Sequence, residues 1–285
     1  GRELLHNVLI SQDLVRGYTR KGLSPRCILK LDIHKAFDSV SWSFLGKLLQ
    51  ALCFPSVFVD WIMECVRATS FTIHVNGGEG PLFAAKKGLK QGDPLSPLLF
   101  LLTMEYPSRQ LTILMQDNQF GFHPGCRQLR LNHLLFADDV LIFCKAQPST
   151  LQRIMAVLQS FHACSGLQVN YTKSQIMIGG CSPEREEACT QLTGCNQGSL
   201  PLRYLGVPLI SSRLTKVECQ ALVEKITKKV HFWSSRSISF AGRAQLINTV
   251  IFGMFTYWGS IFILPQEVTD QLTRICRNYL WSGTS

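Results

Sequence analysis

The stretch "HLLFADDVLIFCK", residues 133–145, sets two adjacent aspartates between two apolar runs. Burying unpaired carboxylates is costly, so the runs and the acids must want different surroundings. Two short apolar runs around a tight turn read as a β-hairpin with Asp138 and Asp139 at a wet tip. Upstream, "CILKLDI", residues 27–33, alternates like a strand and carries Asp32 to its carboxyl end. If that strand neighbours the hairpin, acids about a hundred residues apart converge. Like charges repel in contact, and divalent cations make such a cluster tolerable. Hard oxygen ligands with open positions suit Mg²⁺, and two such ions about 3.5–4 Å apart clamp the attacking and leaving oxygens of a phosphoryl displacement. The competing reading is that an Asp pair merely makes a turn, which Asp does by bonding its own backbone.

Working outward, Leu4, Leu5, Val8, Leu9 and Val15 recur at helical spacing until "GYTRKGLSPR" breaks the pattern. Ser41 caps a helix carrying Phe44, Leu45, Leu48, Leu49 and Leu52, and Pro55 ends it and starts the next. Asn76 and Gly77 mark a hairpin. A long apolar helix follows from about Pro94, with a bend expected at Pro107. A helix from Ser149 stops at Gly166, and "SQIMIGG" closes the region as a strand. The order strand, helices, strand, strand, helix, strand is the split arrangement of a ferredoxin-like antiparallel sheet, an α+β fold. "PEREEACTQL" reads as a surface helix, "LRYLGVPL" as a strand pair, and residues 215–283 as helices. The expected division is 1–27, 28–181 and 182–285.

With 285 residues, 46% of them hydrophobic, the chain can bury a sizeable core. Its net charge of +10 divides as +4 over residues 1–50, +2 over 51–181 and +4 over 182–285. That spread fits a broad basic groove for a polyanion better than a basic arm. Eleven cysteines show no paired CxxC spacing, and Cys27, Cys53, Cys65, Cys144 and Cys164 sit in apolar stretches. They read as reduced core thiols of an intracellular protein, nuclear or cytoplasmic and not secreted. Gaps of eight and six between Cys181, Cys189 and Cys195 do not match zinc-finger spacing. "INTVIFGMFTYWGSIFIL", residues 247–264, is eighteen residues without a charge. Its Asn248, Thr249, Thr256, Ser260 and two glycines favour a buried helix with an aromatic face over a membrane span.

"LKLDIHKAFDSVSW" (29–42), "KKGLKQGDPLSPLLF" (86–100), "HLLFADDVLIF" (133–143), "SGLQVNYTKS" (165–174) and "RYLGVPL" (203–209) stand in one order. That series resembles the successive palm motifs of reverse transcriptases, most of all those of the non-LTR, LINE-type retrotransposons abundant in plants. The resemblance implies a right-hand polymerase palm with an inserted hairpin over 28–181, a residual fingers or connecting helix before it, and a primer-grip region with a helical thumb after it. It implies an RNA-directed DNA polymerase that extends a primer 3′-OH with dNTPs on an RNA template, using two Mg²⁺ ions, with Mn²⁺ as the alternative. No membrane association and no protein partner is inferred.

Residue by residue, the family implies that Asp32 and Asp138 hold the metals, with Asp139 assisting and the backbone carbonyl of Ile33 as a further ligand. Phe37 matches the aromatic gate that rejects a ribonucleotide 2′-OH. Gln91 and Gly92 match the loop that lines the incoming nucleotide. Lys173 matches the lysine that protonates the leaving pyrophosphate, and Tyr204, Leu205 and Gly206 match the primer grip. Lys86, Lys87 and Lys90 either touch template phosphates or solvate a hairpin arm. Lys225, Lys228, Lys229, Arg236 and Arg243 resemble thumb residues that track a duplex backbone. Two departures stand out. The family's basic, proline-containing fingers stretch lies upstream of Gly1, so weak or no activity is expected of these 285 residues alone, and Pro107 interrupts a helix that the family keeps unbroken. The rival function is a catalytically inactive nucleic-acid-binding remnant.

Overall fold

Strand β1 (Arg26–Leu31) lies at the centre of a five-stranded sheet in the computed structural model, which describes residues 3–18, 20 and 22–283. It pairs antiparallel on one side with β3 (Asp139–Cys144), which turns back onto β2 (His133–Phe136) at the edge. On its other side lies β4 (Gln175–Gly179), flanked in parallel by the short β5 (Asn196–Gln197). The spatial order β5-β4-β1-β3-β2 is the expected split arrangement with one added edge strand.

Pleating assigns the faces. Cys27, Leu29, Leu31, Val140, Ile142 and Cys144 point into a core shared with the helices Trp42–Ala51, Ser96–Leu114 and Pro148–Ser165. Ile28, Leu141 and Phe143 take the opposite face and are also fully buried. Burial on both faces is why these strands read as continuous apolar runs rather than as strict alternation. Part of that second face is covered by the connection 115–131, whose His123 ring meets Phe143 edge-on with centroids 6.1 Å apart. A buried polar chain ties the edge strand to the long helix: Ser108 bonds His133 at 2.8 Å, and Asn132 bonds both His133 and the Leu111 carbonyl.

The helices begin and end where their sequences dictate. The Ser41 hydroxyl accepts the Phe44 N–H, and Gly166, at φ +77°, stops the Pro148–Ser165 helix. The Ser96–Leu114 helix runs on through Pro107, which is buried. A proline there forfeits one backbone bond, to the carbonyl of Thr103.

The chain divides into two compact units, Thr19–Gly198 and Gly1–Tyr18 with Ser199–Ser285, rather than at residues 27 and 181. The Leu4–Val15 helix belongs with the second because the Gln12 amide bonds the Ile210 backbone in both directions, at 2.7 and 3.1 Å. That unit holds the strand pair Leu202–Tyr204 and Val207–Leu209 and the helix Lys216–Ser234, begun by a Thr215/Glu218 capping box. A helical run from Phe240 to Gly259 follows, with a π-helical turn at Ile247–Ile251, and Gln266–Ser282 closes the unit.

Two sequence expectations are corrected here. Within 247–264 only Ile247, Ile251 and Trp258 are buried, and Phe252 is 54% exposed. The helix also ends at Gly259, so the segment is the half-exposed wall of a helical unit and not a buried helix. No described helix is long and apolar enough to cross a membrane. Of the five thiols expected in the core, Cys27 and Cys144 are there, whereas Cys53, Cys65 and Cys164 are exposed. Cys65 and Cys164 occupy the outer faces of amphipathic helices, and Cys53 follows a helix end in the left-handed region, at φ +62°.

Candidate active site

The β1/β3 register pairs Leu31 with Val140. Carried one residue further, it sets Asp32 across from Asp139 on the face of the sheet opposite the helices. Phe136 pairs with Asp139, leaving Ala137 and Asp138 as a two-residue turn. Ala137 takes φ +52°, the left-handed geometry such turns demand. Asp138 is exposed at this tip, while Asp32 and Asp139 are half-buried. Burial, and behind it the nearby charges of Asp138 and Asp32, push the Asp139 carboxyl above the usual carboxylate range, with Lys30 pulling it down. Three acids therefore share one end of the sheet and feel one another. Among the described residues no three His, Cys, Asp or Glu side chains are grouped closely enough to hold a metal ion. The donor set nonetheless fits a hard divalent cation, since it is all oxygen and its mutual repulsion is what a cation relieves.

The backbone around Asp32 is clamped. Its carbonyl accepts the Asn170 N–H at 2.8 Å, and its N–H donates to the Ser174 hydroxyl at 3.1 Å. Ser174 in turn donates to the Asn170 carbonyl at 2.7 Å. The Asn170–Ser174 turn, with exposed Lys173 on it, is thus built directly against Asp32. Ile33 pairs with Val169. Because the neighbouring 32/170 pair is the bonded one, the alternation of an antiparallel ladder turns the Ile33 carbonyl away from that strand. The Ile33–His34 and Gln168–Val169 pair that makes this clamp was not anticipated from sequence; "GLQVN" is too short to signal a strand.

Phe37 lies on the short helix Ala36–Ser39, half-buried and stacked on Phe100 with centroids 4.8 Å apart. Its carbonyl accepts the Leu89 N–H at 2.7 Å, the Gly88 N–H bonds Val40 at 2.8 Å, and the Trp42 indole bonds the Gly88 carbonyl at 2.7 Å. Gly88 is required for this close approach: at φ +88°, a Cβ would lie 2.7 Å from the Asp38 carbonyl oxygen. The segment bearing Gln91 and Gly92 is thereby pinned to the Phe37 helix, with both residues exposed. Lys86, Lys87 and Lys90 are exposed along the same segment.

Tyr204, Leu205 and Gly206 lie in the other unit. The Tyr204 ring is 1% exposed, so it anchors the strand pair and does not itself meet a ligand. Leu205 and Gly206 form the turn, at φ +47° and +88°, and the Tyr257 hydroxyl donates to the Leu205 carbonyl at 2.8 Å. Sequence reading missed Tyr257, because nothing in an aromatic helix marks one hydroxyl as a turn support.

The sequence pattern of the family described as "Reverse transcriptase (RNA-dependent DNA polymerase)" matches residues 3–209. The chain belongs to the reverse transcriptase family. By family this reverse transcriptase domain is an RNA-directed DNA polymerase, a nucleotidyltransferase of a kind that uses divalent metal ions. Its curated relatives make it a domain of the non-LTR retrotransposon type. It is 31% identical, over 92% of its length, to the Pol polyprotein of the type-2 retrotransposable element R2DM of Drosophila melanogaster. It is 26% identical over 99% of its length to the 149 kDa protein of transposon TX1 from Xenopus laevis. It spans only 25% and 21% of those proteins. Among solved structures, telomerase from Candida albicans, in complex with a TWJ fragment of telomeric RNA, superposes with a TM-score of 0.51 at 12% identity. The match covers 97% of this chain and 46% of that one, and shows a shared fold.

Proposed function

We propose that this domain extends a primer 3′-hydroxyl with deoxynucleotides on an RNA template, as the polymerase of a LINE-type element of plant origin, and that Asp32, Asp138 and Asp139 hold two Mg²⁺ ions. The observation that carries the reading is the register that sets Asp32 opposite Asp139 with Asp138 in the adjoining turn. Bound there, the ion pair supplies positive charge for the attacking and leaving oxygens of an in-line phosphoryl transfer. The raised Asp139 carboxyl supports a cation site, because a cation replaces the proton that burial, and behind it like-charge repulsion, otherwise favours.

The other side chains position substrate. Phe37, held rigid against Phe100, takes the place of the gate against a ribose 2′-OH. Gln91 and Gly92 line the incoming nucleotide, and Gly92, at φ +88°, lets the backbone approach it. Lys173, on the turn clamped to Asp32, donates a proton to the departing pyrophosphate. Lys86, Lys87 and Lys90 meet template phosphates, and Leu205 and Gly206 meet the primer.

The test is primer extension on an RNA template by the full-length protein. Asp138→Ala should cut incorporation by about 10²–10³-fold or more, and Phe37→Ala should admit ribonucleotides. Full activity in the Asp138 variant refutes the assignment. Salt-sensitive RNA binding with no metal-dependent chemistry would identify a catalytically inactive remnant.

A further inference from the structure

At the end of the sheet remote from the acids, where β1 begins and β3 ends, the connection 115–131 borders an open cavity of about 700 Å³, with Arg127, Arg130 and Lys145 exposed at its rim. Six strand residues at roughly 3.3 Å each put it about 20 Å from Asp32. Its volume falls in the roughly 300–1,000 Å³ range of ligand sites. The connection is fastened to the sheet: the Lys145 N–H bonds the Gly121 carbonyl at 2.8 Å, and the Gly121 N–H bonds the Thr150 hydroxyl at 3.2 Å. A Cβ at Gly121 would lie 2.8 Å from that hydroxyl and 2.9 Å from the Lys145 Cβ, so glycine is what lets the two segments close.

The lining has a particular chemistry. Arg127, Arg130 and Lys145 border the cavity, and no ion pair engages them among the described residues. Its one acid, Asp117, is already paired with Arg153, whose other arm bonds Gln119 at 2.5 Å. Three cations thus face a cavity whose only carboxylate is spoken for by a fourth. Half-buried Phe122, set edge-on to Phe120 with centroids 5.1 Å apart, adds an aromatic wall. Unpaired cations beside an aromatic surface are what a single nucleic-acid strand needs, its phosphates meeting the charges and a base the ring.

We propose that this cavity is a second nucleic-acid site, which holds the phosphate backbone and one base of a single strand away from the acidic end. The inference does not depend on the acids being catalytic.

The test uses a fluorescent oligouridylate 12-mer and the intact chain, followed by anisotropy across a salt series. Arg127→Ala with Arg130→Ala should lower affinity about tenfold and flatten the salt dependence by about 1.4 units in log–log slope, two contacts at about 0.7 each. Lys47→Ala, which removes an exposed cation that lines neither site, should leave both unchanged. Unchanged affinity and slope in the double variant overturn the proposal. If that variant unfolds, acetylation of the wild-type protein decides: the 12-mer should protect Lys145 and spare exposed Lys47, and equal modification of both overturns the inference. Protection by ATP but not by the 12-mer would mark a pocket for free nucleotides and would equally overturn it.

Discussion

The acidic and basic ends of the central sheet acquire their charge by different means. At the acidic end the ladder does the placing: Leu31 opposite Val140 fixes Asp32 opposite Asp139, and a two-residue turn supplies Asp138. At the other end an irregular connection brings Arg127 and Arg130 beside Lys145 through one glycine contact and two hydrogen bonds. A ladder tolerates no slippage, because moving one residue flips every side chain to the other face. A connection adapts. The difference suits demanding geometry at the acids, where reacting atoms must be aligned, and looser electrostatic capture at the cations.

The largest effect that sharpens this contrast is at the acids. Asp138→Ala should cut primer extension by about 10²–10³-fold or more, the scale of losing one electrostatic stabiliser of a transition state. Oligouridylate affinity should hold. A parallel loss of both would merge the two ends into one site. Next comes Gly121→Ala at the other end, where the added methyl crowds the Thr150 hydroxyl and Lys145 Cβ. Overpacking of this kind costs about 1–3 kcal/mol. Chemical denaturation should report that loss, with weaker RNA binding but unchanged Mn²⁺ binding; an unstrained, fully stable variant would show that the connection is not clamped as described.

The smallest effect is Asp139→Asn. The folded carboxyl is raised above its unfolded value by burial and by its like-charged neighbours, so its ionisation weakens the fold. That penalty is absent below the unfolded carboxylate pKa and grows as pH rises through the raised value. In divalent-free buffer the variant should therefore gain about 0.2–1 kcal/mol at pH 7, the scale of relieving like charges across a strand pair. The gain should vanish below roughly pH 3.9. A loss of stability at pH 7 would mean that Asp139 is a favourably paired carboxylate.

Much of the acidic end was legible because two apolar runs and an alternating strand carry their own period, and three acids sit at the ends of those elements. The motif order also announced the family. What stayed hidden has physical reasons. The clamp on Asp32 is made by strands two residues long, below the length at which alternation means anything. The burial of Tyr204 and the exposure of Cys53, Cys65 and Cys164 depend on which way an apolar stretch faces, and single-sequence hydropathy does not say. The stretch 116–131, "QDNQFGFHPGCRQLR" with its closing Leu131, shows no period at all, so its cations gave no sign of sharing a cavity with Lys145.

The most direct measurement is Mn²⁺ binding, followed by electron paramagnetic resonance of the free ion as protein is added. Wild-type protein should take up Mn²⁺ more tightly with a deoxynucleoside triphosphate present, and Asp32→Asn and Asp138→Asn, 106 positions apart in the chain, should each abolish the uptake. Binding that survives either substitution would contradict a shared cation site formed by acids from two strands.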